Sequence, residues 1–114
     1  LELGANDALR GVSPDVTREN IDAMGKLLTE RNIPVLILGM LATPSWGKEY
    51  GQDFDSIFPD TAKKYGVPLY PFFLDGVAVD AALNQADGLH PTKDGVAIII
   101  EKMGPHILAA LAPK

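Results

Sequence analysis

Pro34-Val35-Leu36-Ile37-Leu38-Gly39 is a continuous apolar run closed by a breaker at each end. A strand buried on both faces of a parallel sheet reads this way, because the helices that cover it leave no polar face. Ahead of it, Ser13-Pro14-Asp15 is a helix start, with Ser as N-cap, Pro at the first helical position and Asp where the macrodipole favours an acid. From there to about Arg31, Val16, Met24, Leu27 and Leu28, with Ile21 and Ala23 nearby, form one apolar stripe, and this face is expected to cover a sheet. Arg18, Glu19, Asp22, Lys26 and Glu30 lie mostly off the stripe, and Asn32 ends the helix. A helix followed by a buried strand predicts a βαβ crossover.

Downstream the alternation repeats. Met40 to Gly47 leave the C-terminal end of the strand, the side where open α/β sheets deliver functional residues. Thr43-Pro44-Ser45-Trp46-Gly47 is an irregular loop with the only tryptophan. Lys48 to Tyr65 reads as helix, with Tyr50, Phe54, Ile57 and Phe58 on one face, then Ala62 and Tyr65, and Pro59 predicts a break or kink at Phe58. That aromatic stripe reads as core rather than a base-stacking platform, since nothing basic interleaves with it. Gly66-Val67-Pro68 leads into a strand, Leu69-Tyr70-Pro71-Phe72-Phe73, which should be short or at an edge because Pro71 cannot donate to a ladder.

Leu74 to Val79 form a loop or short helix, Asp75 and Asp80 are solvated or capping residues, and Asp80 to Asn84 make one helical turn. Pro91-Thr92 open a final helix burying Val96, Ile99, Ile100 and Met103, which Gly104-Pro105 breaks or bends. His106, Ile107, Leu108 and Leu111 continue it, with His106 a surface or capping residue. The sum is α/β, a three-layer α/β/α architecture with a parallel sheet.

At 114 residues the chain is one domain at most, able to bury roughly 60% of its unfolded surface. A hydrophobic content of 46% argues against disorder. A net charge of −5 without a basic run argues against nucleic acid as partner. The absence of cysteine removes both a disulfide framework and a thiolate nucleophile, and no apolar run reaches the length of a membrane span. No glycine-rich phosphate loop occurs. Asp87, His90 and Asp94 are potential metal ligands, but a fourth group would have to come from elsewhere and no His or Cys cluster offers one, so no metal is expected.

Two short stretches carry chemistry. Asp87-Gly88-Leu89-His90-Pro91-Thr92 places an aspartate three residues before a histidine in a turn that opens a helix. A carboxylate there fixes the imidazole tautomer and stabilises its protonated form, as a general base serving a hydroxyl requires. The same pair serves equally as a capped turn with no chemical role. Leu1-Glu2-Leu3-Gly4-Ala5-Asn6-Asp7 reads as the end of a buried strand running into a loop. Asn6 alone would be a structural turn residue, and Asp7 would salt-bridge Arg10 or accept backbone N–H groups.

Together, Gly-x-Asn-Asp and a late Asp-x-x-His-Pro resemble the SGNH (GDSL-type) hydrolases, within them the bacterial group of arylesterases and acyl-CoA thioesterase/lysophospholipases. The resemblance implies the SGNH-hydrolase fold, flavodoxin-like in strand order, with residues 1–114 as a single incomplete domain running from the end of the third strand to the C-terminal helix. It implies catalytic Asp87 and His90, an oxyanion-hole amide from Asn6, and Met40, Leu41 and Trp46 in contact with substrate. Trp46 has an equal alternative as a loop anchor on the next helix. The activity implied is hydrolysis of carboxylic esters or thioesters through an acyl-enzyme, without cofactor, in the periplasm or outside the cell.

Two blocks of that family, the nucleophile block and the oxyanion-hole glycine block, are not found. Ser13, Ser45 and Ser56 lie in unlike contexts; Gly11-Val12-Ser13-Pro14 lacks the second glycine of an elbow. The expectation is that the chain is the later part of a longer enzyme, inactive alone, with the serine supplied by a missing N-terminal segment, a companion chain or a swapped copy. The alternative from another class is a non-catalytic α/β interaction domain in which Asp87 and His90 only cap the last helix.

Overall fold

In the computed structural model, which describes residues 1–113, the chain forms two compact units, Leu1–Phe72 and a second from Phe73 onward. The first holds α1 (Ala5–Arg10), α2 (Pro14–Glu30), β1 (Ile37–Leu38), a 3-10 turn at Pro44–Trp46, α3 (Lys48–Tyr65) and β2 (Leu69–Tyr70). The second holds a run of turns, a hairpin and α4 (Lys93–Leu111).

β1 and β2 pair in parallel, Ile37 beside Leu69 and Leu38 beside Tyr70, with α3 as the connection. The other side of β1 is also bonded: the Leu1 ammonium donates to the Leu36 carbonyl at 2.7 Å, and Leu38 N donates to the Leu1 carbonyl at 3.0 Å. The apolar run from Pro34 is thus flanked on both sides, although only two of its residues have regular strand pairing. Gly39 is required where β1 ends, because a Cβ there would overlap the Pro71 carbonyl oxygen. The architecture is the expected α/β with a parallel sheet, of which this chain carries part.

α2 begins at Pro14 as expected, but its buried face differs. Thr17, Ile21 and Gly25 are buried, whereas Val16 and Leu27 are about half exposed. The reason is close helix approach: α2 lies on α3, and a Cβ at Gly25 would come 3.0 Å from the Tyr65 ring and 3.3 Å from Thr61 Cγ2. Thr17, Ile21 and Gly25, at i, i+4 and i+8, form that seam, with the closest approach at Gly25. Polar contacts rim it, Arg18 donating to Asp60, Ser56 and the Asp53 carbonyl, and Lys64 and Tyr65 to Asp22. Exposed pairs of this kind contribute little because solvent screens them, so the seam holds mainly by packing.

α3 runs unbroken through Pro59, contrary to the expected break. Phe54, Ile57, Phe58, Thr61 and Ala62 are all buried on both sides of the proline, and that continuous buried stripe outweighs its penalty of about 3 kcal/mol. α4 likewise continues through Gly104-Pro105. Its buried set is smaller than expected: Ile99 and Gly95 are buried, but Val96 and Ile100 are exposed. No helix among the described residues is long and apolar enough to cross a membrane.

Candidate active site

Residues 83–92 form a hairpin where the sequence predicts a loop, preceded by the expected turn over residues 80–84, in which Leu83 N donates to the Asp80 carbonyl at 3.1 Å. Thr92 N donates to the Leu83 carbonyl at 2.8 Å, Gln85 N donates to the His90 carbonyl at 2.7 Å, and Asn84 bridges Pro91 in antiparallel fashion. Gly88, at φ 69, lets the tip reverse, and its N–H donates to the Gln85 carbonyl. At the base of the hairpin Thr92 caps α4, accepting from Gly95 N at 3.3 Å. Gly95 lies against this base, since a Cβ there would overlap the Leu83 carbonyl oxygen.

Asp87 and His90 occupy the tip. Asp87 Oδ1 accepts the backbone N–H groups of Leu89 and His90 at 2.9 and 3.0 Å, while Oδ2 lies 2.6 Å from His90 Nδ1. The His90 side-chain bond, followed by the two backbone donors, holds the Asp87 carboxyl at a pKa of about 2. At neutral pH that carboxylate can only accept, so Nδ1 carries the proton and Nε2 is the nitrogen left for exchange with another group. The imidazole is 72% exposed. An oriented, solvent-facing histidine with an ionised partner is equipped to take a proton and to carry the resulting charge.

Asn84 was not singled out in the sequence, yet it holds the segment before the hairpin. Its buried side-chain amide donates to the carbonyls of Val77 and Asp80, both at 2.8 Å. The one available signal was an asparagine just after a turn-rich stretch. Asp80 does cap, accepting from Ala82 N, whereas Asp75 pairs with Lys102 at 2.8 Å.

Asn6 lies in the first unit, and not in a loop: it is the second residue of the six-residue helix α1 and is exposed. Asp7 is held neither by Arg10 nor by backbone donors; its Oδ2 accepts from the Thr17 hydroxyl at 2.9 Å. Met40 is buried, while Leu41 and Trp46 are about half exposed. The loop they share is tied by Ala42 N donating to Asp55 Oδ1 at 2.7 Å. Trp46 Nε1 donates to the Ala8 carbonyl at 2.7 Å, an anchoring contact. Asp87 and His90 are brought into direct contact; Asn6, Met40, Leu41 and Trp46 all belong to the other unit.

Comparison with known proteins agrees with the motifs. Residues 1–98 match the GDSL-like lipase/acylhydrolase family. The thioesterase 1/protease 1/lysophospholipase L1 of Escherichia coli K12 is 32% identical over 107 residues, which is 94% of this chain and 51% of that protein. An arylesterase of Vibrio mimicus is 34% identical over 111 residues, covering 97% of this chain and 56% of its own length. The esterase EstA from Pseudoalteromonas sp., solved with monoethylphosphonate as inhibitor, superposes with a TM-score of 0.88 at 30% identity, over 96% of this chain and 60% of EstA. The chain therefore spans about half the length of the curated relatives it matches. On both sequence and fold, it belongs to the GDSL-like lipase/acylhydrolase family.

Proposed function

We propose that this chain supplies the acid–base pair and one oxyanion donor of a serine esterase or thioesterase acting on carboxylic esters or thioesters. The observation that carries the reading is the 2.6 Å contact between Asp87 Oδ2 and His90 Nδ1 beneath an exposed ring. His90 Nε2 takes the proton of an attacking serine and returns it to the leaving alcohol or thiol. Asp87 keeps the proton on Nδ1 and balances the imidazolium charge. Asn6 donates its side-chain amide to the oxyanion of the tetrahedral intermediate. Met40 and Leu41 border the acyl or alcohol group, while Trp46, bonded to the Ala8 carbonyl, takes its alternative role as a loop anchor.

The nucleophile comes from outside these 114 residues. Ser56 Oγ is engaged by Arg18 and donates to the Asp53 carbonyl, Ser13 precedes α2 as its N-cap residue, and Ser45 lies in the 3-10 turn. All three serines lie in the unit that ends at Phe72, whereas both histidines lie beyond it. The serine then resides on a preceding segment of the same polypeptide or on a companion chain.

The test is labelling with a fluorophosphonate in cells that make the protein. Expected is a labelled serine on a polypeptide continuous with this chain or co-purifying with it, with labelling slowed by His90→Ala. Absence of any labelled partner or extension, together with no ester hydrolysis, would favour the non-catalytic interaction domain instead.

A further inference from the structure

A ladder of aromatic rings runs through the 3-10 turn and α3. Trp46, Tyr50, Phe54 and Phe58 recur every fourth residue, with successive centroids 6.4, 6.1 and 5.6 Å apart. Every rung meets the segment that carries Asn6. Phe58 and Phe54 lie against Gly4, where a Cβ would come 3.1 and 3.4 Å from their ring carbons. The Tyr50 hydroxyl donates to the Val12 carbonyl at 2.8 Å and lies 3.5 Å from the Asp7 carbonyl. Trp46 donates to the Ala8 carbonyl, and its ring covers Gly11, where a Cβ would fall 2.9 Å away. Gly4 and Gly11 bracket α1 at φ 113 and φ 66, so both ends combine a left-handed backbone with an aromatic ring in contact.

A helix of six residues cannot hold itself. Isolated helices are marginal below about 12–15 residues, and the last carbonyls of any helix lack intrahelical donors. The Ala8 carbonyl in the last turn of α1 takes Trp46 as a donor beside Gly11 N, and the Val12 carbonyl just past the helix takes Tyr50. Burial and the Asp7 carboxylate push the Tyr50 hydroxyl above its usual pKa, so it stays a donor throughout the neutral range.

We infer that Trp46 and Tyr50 are positioning residues for Asn6: through the Ala8 and Val12 carbonyls they fix the register of α1 and so the direction of the Asn6 amide. This rests on the reading of Asn6 as an oxyanion donor. A donor aimed at a developing charge must be placed to within about 0.5 Å, and a displacement of about 1 Å can cost on the order of 100-fold in rate. Trp46 and Tyr50 would then act on turnover rather than on substrate affinity.

Tyr50→Phe keeps its ring and removes only the donor, whereas Trp46→Phe removes the donor and also trims the ring that covers Gly11, so Tyr50→Phe is the cleaner of the two. They would be compared, alone and combined with Asn6→Ala, in the competent protein, meaning this chain together with the serine-bearing segment. Steady-state hydrolysis of a p-nitrophenyl ester and backbone amide exchange are the two readouts. Expected are exchange faster by about fivefold across residues 8–12 with α2 and α3 unchanged, kcat lowered about tenfold at constant KM, and no further loss when either change is added to Asn6→Ala.

A rise in KM alone would make Trp46 a substrate wall and overturn the inference. So would full additivity with Asn6→Ala. If Asn6→Ala lowers kcat while both Phe variants leave kcat and exchange unaltered, the positioning role falls and the oxyanion reading stands. If Asn6→Ala leaves kcat untouched, the oxyanion reading itself falls, and the positioning role with it.

Discussion

Asp87 commits both carboxylate oxygens to Leu89 and His90, and the bond from His90 Nδ1 to Oδ2, at 2.6 Å, is the shortest of the three. The pair is therefore made by local geometry, a Gly-permitted reversal between two hydrogen-bonded arms. It does not depend on burial, because both side chains are largely exposed.

That origin sets a pH window. The Asp87 carboxyl lies below its usual value of 3.8, at about 2, chiefly because of the His90 bond. A carboxyl depressed in the folded state contributes its stabilisation above the unfolded value and loses it as pH falls from about 3.8 through about 2. A carbon-detected NMR titration should put the Asp87 midpoint near 2 in the parent and closer to the ordinary carboxylate range in His90→Ala. Identical midpoints near 3.8 would show that the pair does not persist in solution.

Loss of the base should cost more than loss of one oxyanion donor. In the competent enzyme, Asn6→Ala should lower kcat by about 10²–10³, the usual effect of removing one such donor. His90→Ala should depress p-nitrophenyl ester hydrolysis further, because proton removal and leaving-group protonation both go through it. A His90→Ala loss equal to or milder than that of Asn6→Ala would contradict the assigned roles.

Asn84 should matter to stability although it touches no reacting group. Asn84→Ala leaves the Val77 and Asp80 carbonyls without their buried donors, a cost of about 1–3 kcal/mol. Asn84→Asp should do worse, because a carboxylate would face two carbonyl oxygens. Urea midpoints would order the three proteins, and an aspartate variant as stable as the parent would mean that the amide contacts carry no weight.

Much of this was legible beforehand. Ser13-Pro14-Asp15 marked the start of α2, Pro34 to Gly39 marked β1, and the two short motifs pointed to the family. What escaped the sequence has common physical causes. Hydrophobic periodicity finds Ile21, but the α2 seam also needs Thr17 and Gly25, whose value is close approach rather than apolar area. Propensity marked Pro59 and Pro105 as places where a helix breaks or bends, and both helices continue through them without a break. The hairpin behind Asp87 was hidden because Asn84 and Gln85 pair with residues a few positions on, and no alternating apolar pattern announces so short a ladder.

Val79 offers a way to separate stability from chemistry. It holds φ 61 with its side chain fully exposed, so a β-branched residue sits in the left-handed region without packing to compensate. That conformation costs an L-residue about 1–2 kcal/mol, and asparagine bears it more easily through local hydrogen bonding. Val79→Asn should therefore raise the unfolding free energy by about 1 kcal/mol. Val79→Gly should gain less, because the extra freedom of glycine in the unfolded chain offsets about 0.5–1 kcal/mol. Urea denaturation gives the ordering, and the Asp87 titration should not move, since among the described residues its carboxylate is bonded to Leu89 and His90 alone. A destabilised Val79→Asn would mean that the exposed valine makes a contact this conformation does not contain.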